Sequence, residues 1–112
     1  MENKLAERKN IGKLRWHNFP MFLIRPLIQV ADYGADKYAT FNYLKGAPIS
    51  QYMDSLKRHL DSFEDPSQAD KDSESQINHL AHVAWNALVA IHMLQAKPEL
   101  DDRWNPNLKN SI

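Results

Sequence analysis

The sequence of 112 residues contains no cysteine, which excludes disulfide frameworks, zinc–thiolate sites and thiol catalysis. A bound metal ion would therefore need histidine, aspartate or glutamate ligands. Excess charge is absent too, since 14 basic residues balance 14 acidic ones. Such a chain has no overall positive potential with which to attract a nucleic-acid duplex or an anionic membrane, so we expect neither as a partner. An anionic small molecule would need a local binding site.

Long hydrophobic runs are also missing. The stretch Met21–Ile24 is far shorter than the ~20 apolar residues that cross a bilayer, and Arg25 and Pro26 end it. The charged start of the chain does not resemble a signal peptide, so we expect a soluble protein of the cytoplasm. Hydrophobic residues make up 43% of the chain and charged residues 25%, which is typical of a folded domain.

Hydrophobic side chains recur at the three- and four-residue spacing of amphipathic helices in three stretches. These stretches are Phe19–Tyr38, Ser50–Phe63 and Gln76–Gln95. No stretch alternates convincingly as a β-strand does, so the predicted fold class is all-α. We expect a small antiparallel bundle of three main helices, completed by homo-oligomerisation because the apolar faces are extensive. A flexible arm at 1–13 and an irregular C-terminal extension at 97–112 would flank this single domain at 14–96.

Individual residues refine the helix boundaries. Pro26 can open the first helix, and Ser50 can cap the second at its amino end. Gly34 interrupts the first periodic stretch and indicates either a close approach of backbone or ligand, or a break in the helix. Trp104 in the extension can dock on the domain or on another subunit.

An acidic connection from Glu64 to Ser75 separates the second and third helices. It is either a solvated linker or a cation site, because long structureless loops are uncommon in small domains and are often functional. His59 and His79 stand at its two ends and can approach each other through it. Together with Glu64, Asp72 and Glu74, these histidines suggest a site for a hard cation and phosphate.

The third helix places His79, His82 and Asn86 within one narrow arc. Each buried polar side chain there would need a partner, which favours an interior cleft, although histidines on buried helices are often ordinary core residues. Lys37 and Arg58 are either surface charges or phosphate ligands. Aromatic residues elsewhere, Trp16 and Tyr43 among them, can stack on a nucleobase or pack in a core.

Several segments also carry motifs in a recognisable order. Residues 12–16 match the pattern G-K-x-R-W, residues 33–38 match Y-G-A-x-K-Y, and residues 42–46 match N-W-x-K-G with tyrosine for tryptophan. Residues 58–60 match R-H-L. Residues 72–86 follow D-x-E-S-G-x-x-H-L-x-H-A-x-x-N, with Gln76 in place of the glycine and Val83 in place of the alanine. This ordered set resembles the phage-associated dATP/dGTP diphosphohydrolases, a family related to the all-α MazG-like nucleoside triphosphate pyrophosphohydrolases.

The resemblance implies hydrolysis of a purine (deoxy)nucleoside triphosphate to the monophosphate and pyrophosphate, with Mg²⁺ or Mn²⁺ as cofactor. The catalytic residues would be Glu64, Asp72, Glu74 and His79. The first three of these would hold the metal. The substrate-binding residues would be Arg15, Trp16, Lys37, Tyr43, Arg58, His59, His82 and Asn86.

Two other functions remain open on the same scaffold. One is a catalytically inactive nucleotide-binding protein that sequesters a nucleotide signal of a host defence system. The other is a small helical interaction or assembly protein whose histidine cluster is structural. The enzyme would need a divalent metal and release pyrophosphate, the binding protein would retain an intact ligand, and the assembly protein would do neither.

Overall fold

A computed structural model describes residues 4–107, which form three α-helices and four short 3-10 turns. The helices are α1 (Arg25–Lys37), α2 (Ile49–Glu64) and α3 (His79–Ala96). This part of the chain contains no strand beyond one isolated bridge between Lys71 and Asn78, so the all-α prediction is confirmed. The helices of these residues lack the combination of length and hydrophobicity that a membrane span requires. Completion by oligomerisation stays a prediction, as do the boundaries of the arm and extension, whose outer residues 1–3 and 108–112 lie outside the described part.

Helix α1 is shorter than the predicted stretch Phe19–Tyr38. A separate 3-10 turn occupies Met21–Ile24, and the α-helix begins at Arg25 with Pro26 in its first turn. Proline has no backbone N–H, so it costs nothing at a position where that group lacks a helical partner. Gly34 does not break the helix, which continues to Lys37.

Helix α2 begins at Ile49, two residues before the start that a cap at Ser50 would give, and Ser50 is not its cap. Pro48 precedes the first helical residue, Ile49, and supplies no side-chain hydrogen bond. Instead, the backbone N–H of Ser50 donates to Oδ1 of Asp102 at 2.8 Å, and the hydroxyl of Ser50 donates to Oδ2. A carboxylate from the C-terminal extension therefore satisfies a free N–H at this helix terminus, where negative charge is favourable. Trp104 is 73% exposed and does not dock on the domain.

Helix α3 begins three residues later than the predicted start at Gln76. That residue has a φ of +61°, in the left-handed region, which does not continue a right-handed helix. The side-chain oxygen of Asn78 accepts the N–H of Leu80 at 2.8 Å and caps the helix. The first turn of α3 is thereby placed directly after the acidic connection.

Two hydrophobic clusters hold the helices together on either side of α3. The first contains Ile49, Val89, Ala90 and Met93. The second contains Val30, Ile77 and Ala81. Trp85 is partly buried against both clusters. Because Ile77 anchors the end of the acidic connection beside α1 and α3, this connection is part of the folded domain.

Candidate functional site

A polar cavity of about 480 Å³ lies where the three helices meet the acidic connection. Helix α2 contributes Ser55, Arg58, His59 and Ser62, which the helical repeat places on one face. The other lining residues are Tyr33, Lys37, Tyr38, Asp72, Glu74, His79 and His82. The structure therefore brings together seven of the residues predicted for the site, namely Lys37, Arg58, His59, Asp72, Glu74, His79 and His82.

Backbone hydrogen bonds of the acidic connection hold Asp72 in place. Its N–H donates to the carbonyl of Ile77 at 2.9 Å, and its own carbonyl accepts the N–H of Gln76 at 2.8 Å. Its carboxylate accepts the N–H of Ser75 at 2.8 Å. The N–H of His79 donates to the carbonyl of Asp70 at 2.8 Å, which ties the connection to α3. This segment is an ordered turn that carries a carboxylate into the cavity rather than a solvated linker.

Three histidine rings form the inner wall of the cavity. The Nδ1 atoms of His59 and His79 are 2.9 Å apart, so one must donate and the other accept, or both must face a shared cation. The ring of His59 also stacks on that of His82, with centroids 4.3 Å apart and planes 7° from parallel. Nε2 of His82 is 2.7 Å from the hydroxyl of Ser75. These contacts fix the orientation of all three rings.

His59, Asp72 and His79 form a group that could hold a metal ion. Each offers one ligand atom, and these atoms all lie within 4.8 Å of one another. Two imidazole nitrogens and one carboxylate oxygen form a mixed donor set, because imidazole suits Zn²⁺, Fe²⁺ and Ni²⁺ whereas carboxylate suits Mg²⁺ and Mn²⁺. The donor chemistry of the cavity therefore fits a divalent metal.

This group differs from the metal ligands implied by the family resemblance, of which it retains only Asp72. Glu64 is exposed at the end of α2, five residues beyond His59. At about 100° per residue it points well away from the histidine, so it does not line the cavity. Glu74 does line the cavity, but its Oε1 accepts a hydrogen bond from Nζ of Lys37 at 2.8 Å.

Burial and local hydrogen bonds shift the pKa values of the cavity side chains. Burial is the main cause that lowers the pKa of His59 and of His82. For Asp72, burial would raise the pKa, but the backbone and hydroxyl hydrogen bonds from Ser75, together with nearby His59 and His82, outweigh it and lower the pKa. Asp72 is therefore ionised at neutral pH.

At the mouth of the cavity, Lys37 and Glu74 stabilise each other in their charged forms. Their hydrogen bond is the main cause that raises the pKa of Lys37 and lowers that of Glu74. Glu74 also interacts with the phenol of Tyr33 and is the main cause that raises its pKa. Arg58 is exposed on the α2 side. Lys37 and Arg58 thus supply two positive charges beside the histidine wall.

A second cavity, of about 380 Å³, adjoins the first and contains two further predicted site residues, Tyr43 and Asn86. The ring of Tyr43 meets that of Trp85 edge to face, with centroids 4.8 Å apart. The remaining two predicted residues, Arg15 and Trp16, lie elsewhere. They line a separate hollow with Lys13, Leu14, Asn18 and Phe19, and the structure does not bring them to either cavity.

Sequence reasoning missed several residues of the site. Ser55 and Ser62 could have been found, because they stand four residues before and three after His59 on the same helical face. Tyr33 stands one helical turn before Lys37 and could have been found in the same way. Ser75 gives no such signal, because its contact with His82 depends on the path of the acidic connection.

A family model and a curated relative match the chain. The family described as "dATP/dGTP diphosphohydrolase, N-terminal" matches residues 3–103. The chain belongs to this family. A dATP/dGTP diphosphohydrolase of Salmonella phage PMBT28 is 32% identical to it over 89 residues, which cover 75% of the chain and 30% of the phage protein. The chain thus spans less than a third of the length of this curated relative. No solved structure matches it.

The match to the dATP/dGTP diphosphohydrolase N-terminal family covers all of the ordered motifs. The matched region contains both cavities, all three helices and the acidic connection. Four of the ordered motifs, at residues 33–38, 42–46, 58–60 and 72–86, contribute residues to the cavities. The motif at residues 12–16 contributes to neither.

Proposed function

We propose that this chain hydrolyses a purine deoxynucleoside triphosphate to the monophosphate and pyrophosphate at the polar cavity. The observation that carries the proposal is the convergence of His59, Asp72 and His79 beside the cations of Lys37 and Arg58. A triphosphate needs both positive charge and a metal site for this reaction. The family and the name of the phage relative support this substrate class.

The residues of the cavity divide into three roles. His59, Asp72 and His79 would hold a divalent cation, Mg²⁺ or Mn²⁺. When bound, such an ion neutralises phosphate charge and lowers the pKa of a water molecule. Lys37 and Arg58 would bind the phosphate oxygens, as charge-assisted donors do.

His82 and Ser75 act as positioning residues in this proposal. His82 stacks on His59, and the hydroxyl of Ser75 fixes Nε2 of His82, so the two together restrict rotation of the His59 ring. Such second contacts commonly tune a metal site. Glu74 controls the availability of Lys37, because a phosphate must compete with the existing ion pair.

Self-association belongs to the same proposal. Leu80, Leu88 and Ile91 lie along one side of α3 and are 42%, 50% and 56% exposed. We expect a second copy of the chain to cover this apolar side, and we place the homo-oligomer in the cytoplasm with the nucleotide pool. Light scattering after size exclusion would give twice the chain mass or a higher multiple, and a monomer at micromolar concentration would contradict this part.

The function is tested by measuring pyrophosphate release from a panel of purine and pyrimidine (deoxy)nucleoside triphosphates with Mg²⁺, with Mn²⁺ and with a chelator. Release from dATP or dGTP, stopped by the chelator and matched by monophosphate, is expected. Asp72→Asn should abolish it. Asp70→Asn is the matched control, because it makes the same change in the same segment at an exposed carboxylate outside the cavity.

If no nucleotide of the panel released pyrophosphate, the proposed hydrolase activity would be wrong. If dATP still raised the melting temperature of the protein, the cavity would belong to a nucleotide-binding protein that keeps its ligand intact. If no nucleotide changed the melting temperature, a small helical assembly protein would be the better description. The three functions are thus separated by two measurements on one sample.

A further inference from the structure

The second cavity adjoins the polar cavity through a shared wall, which consists of Tyr33, Lys37, Tyr38, Ser55 and His82. Beyond this wall the lining changes character. Phosphate-binding charges and metal donors give way to Tyr43, Tyr52 and Trp85, with the small residues Gly34 and Ala47 between them. A molecule with one charged end and one flat, apolar end would meet matching surfaces in both cavities.

Asn86 supplies a directional polar group in this second cavity. Its Nδ2 donates both of its protons, one to Ser55 Oγ at 3.2 Å and one to the carbonyl of His82 at 2.8 Å. The side-chain oxygen is therefore the atom left for a ligand, and it can only accept. A matching ligand must offer an N–H group, and the exocyclic amino group of a nucleobase is one.

Gly34 determines how much room the cavity has on the α1 side. A Cβ built on this residue would meet no atom within 4 Å, so the missing side chain leaves open space. The residue lies inside a regular helix, where glycine is unfavourable relative to alanine. Neither a positive φ nor a close backbone contact requires glycine at this position. The remaining feature that a glycine provides here is the open space beside it.

We infer that this second cavity receives the base of the nucleotide, a purine that carries an amino group, and that Gly34 provides the room for its two rings. The identity of the ligand rests on the proposed function. Thymine and uracil carry no exocyclic amino group, and cytosine, which carries one, has only a single ring. The volume of about 380 Å³ lies within the usual range for small-molecule sites, and the aromatic side chains offer surfaces on which a base can pack.

The test uses two probes, dAMP and inorganic pyrophosphate, which are the two products of dATP hydrolysis and are not turned over further. Binding of each is measured by calorimetry with Mn²⁺ to the wild type and to Gly34→Leu. The leucine side chain should weaken dAMP binding at least tenfold and leave pyrophosphate binding unchanged. Gln29→Leu is the control, because it adds leucine to an exposed position of the same helix outside the cavity.

Three further measurements check the interpretation. Circular dichroism should show that Gly34→Leu is folded, and Gly34→Ala should weaken dAMP binding less than leucine does. The monophosphate of purine 2′-deoxyriboside, which lacks the amino group, should bind the wild type about tenfold more weakly than dAMP.

Unchanged dAMP affinity in Gly34→Leu would overturn the inference. So would equal loss of dAMP and pyrophosphate binding, or failure of the wild type to bind dAMP. Failure of the proposed function has a different signature, since the wild type would then release no pyrophosphate from dATP. Selective loss of dAMP binding in Gly34→Leu would still locate the base in that case.

Discussion

The two adjoining cavities are built from different kinds of structure. The polar cavity depends on the ordered connection between α2 and α3, whose backbone hydrogen bonds place Asp72 opposite His59 and His79. The second cavity contains no residue of that connection, and its lining comes from the helices and from residues near the 3-10 turn at Asn42–Lys45. In our proposal, chemistry in the first cavity would depend on the identity of a few atoms, whereas recognition in the second would depend on space and on the acceptor oxygen of Asn86.

This difference predicts that substitutions in the two cavities have separable effects. Side chains that hold a metal tolerate no conservative change, because ligand type and distance determine affinity. A cavity wall tolerates changes that keep its volume. The predictions that follow test this separation and run from the largest expected effect to the smallest.

His79→Ala should have the largest effect. It removes one of the three metal donors, so kcat for pyrophosphate release should fall by about 100-fold or more, while dAMP affinity should change little. Steady-state kinetics and calorimetry measure the two quantities on the same protein. His92→Ala on the exposed side of α3 is the control. A kcat within threefold of the wild type would show that this histidine does not serve the reaction.

Lys37→Met should have an intermediate effect. The change removes a cation from the mouth of the polar cavity but leaves the three metal donors, so KM for dATP should rise about tenfold with kcat largely retained. Lys57→Met, at an exposed position on α2 outside both cavities, should leave KM unchanged. A fall in kcat without a change in KM would assign Lys37 to the chemical step instead.

Gln76→Gly tests the backbone strain at the residue that directly follows the acidic connection. Gln76 has a φ of +61°, which is unfavourable for any residue with a Cβ, so glycine should raise the free energy of unfolding by up to about 1 kcal/mol. Urea denaturation measures the change. Gln76→Ala is the control, because it loses the hydrogen bond from Nε2 to the Ser73 carbonyl but keeps the Cβ, and it should be less stable than the wild type. An equal increase in the free energy of unfolding for both variants would contradict backbone strain at Gln76.

Asp102→Asn should have the smallest effect and should leave kcat unchanged. Its hydrogen bonds with Ser50 lower the pKa of Asp102 from 3.8, so this contribution to stability is present above that pH and is lost as the pH falls through the lowered value. The variant should melt a few degrees below the wild type at pH 7. This difference in melting temperature should shrink at acidic pH. A difference that grew at acidic pH would contradict a stabilising role for the ionised Asp102 carboxylate.

Much of the fold could be predicted from hydrophobic spacing. The period of the apolar residues indicated three helices, and it also placed His79, His82 and Asn86 on one arc of α3. The helix ends were less predictable. Ser50 has the side chain of a cap, but a carboxylate 52 residues away along the chain occupies that role.

Local sequence determined which side chains share a helical face, because that depends only on the number of residues between them. It therefore determined the all-α class and the grouping of polar residues on α2 and α3. The tertiary structure alone decided that Asp72 and Glu74 join the polar residues of α2 and α3, that Arg15 and Trp16 lie elsewhere, and that Asn86 belongs to a different cavity from His79. The physical reason is that the packing of the helices and the path of the connection between them determine which helix faces contact each other. These contacts join residues that are far apart in the chain.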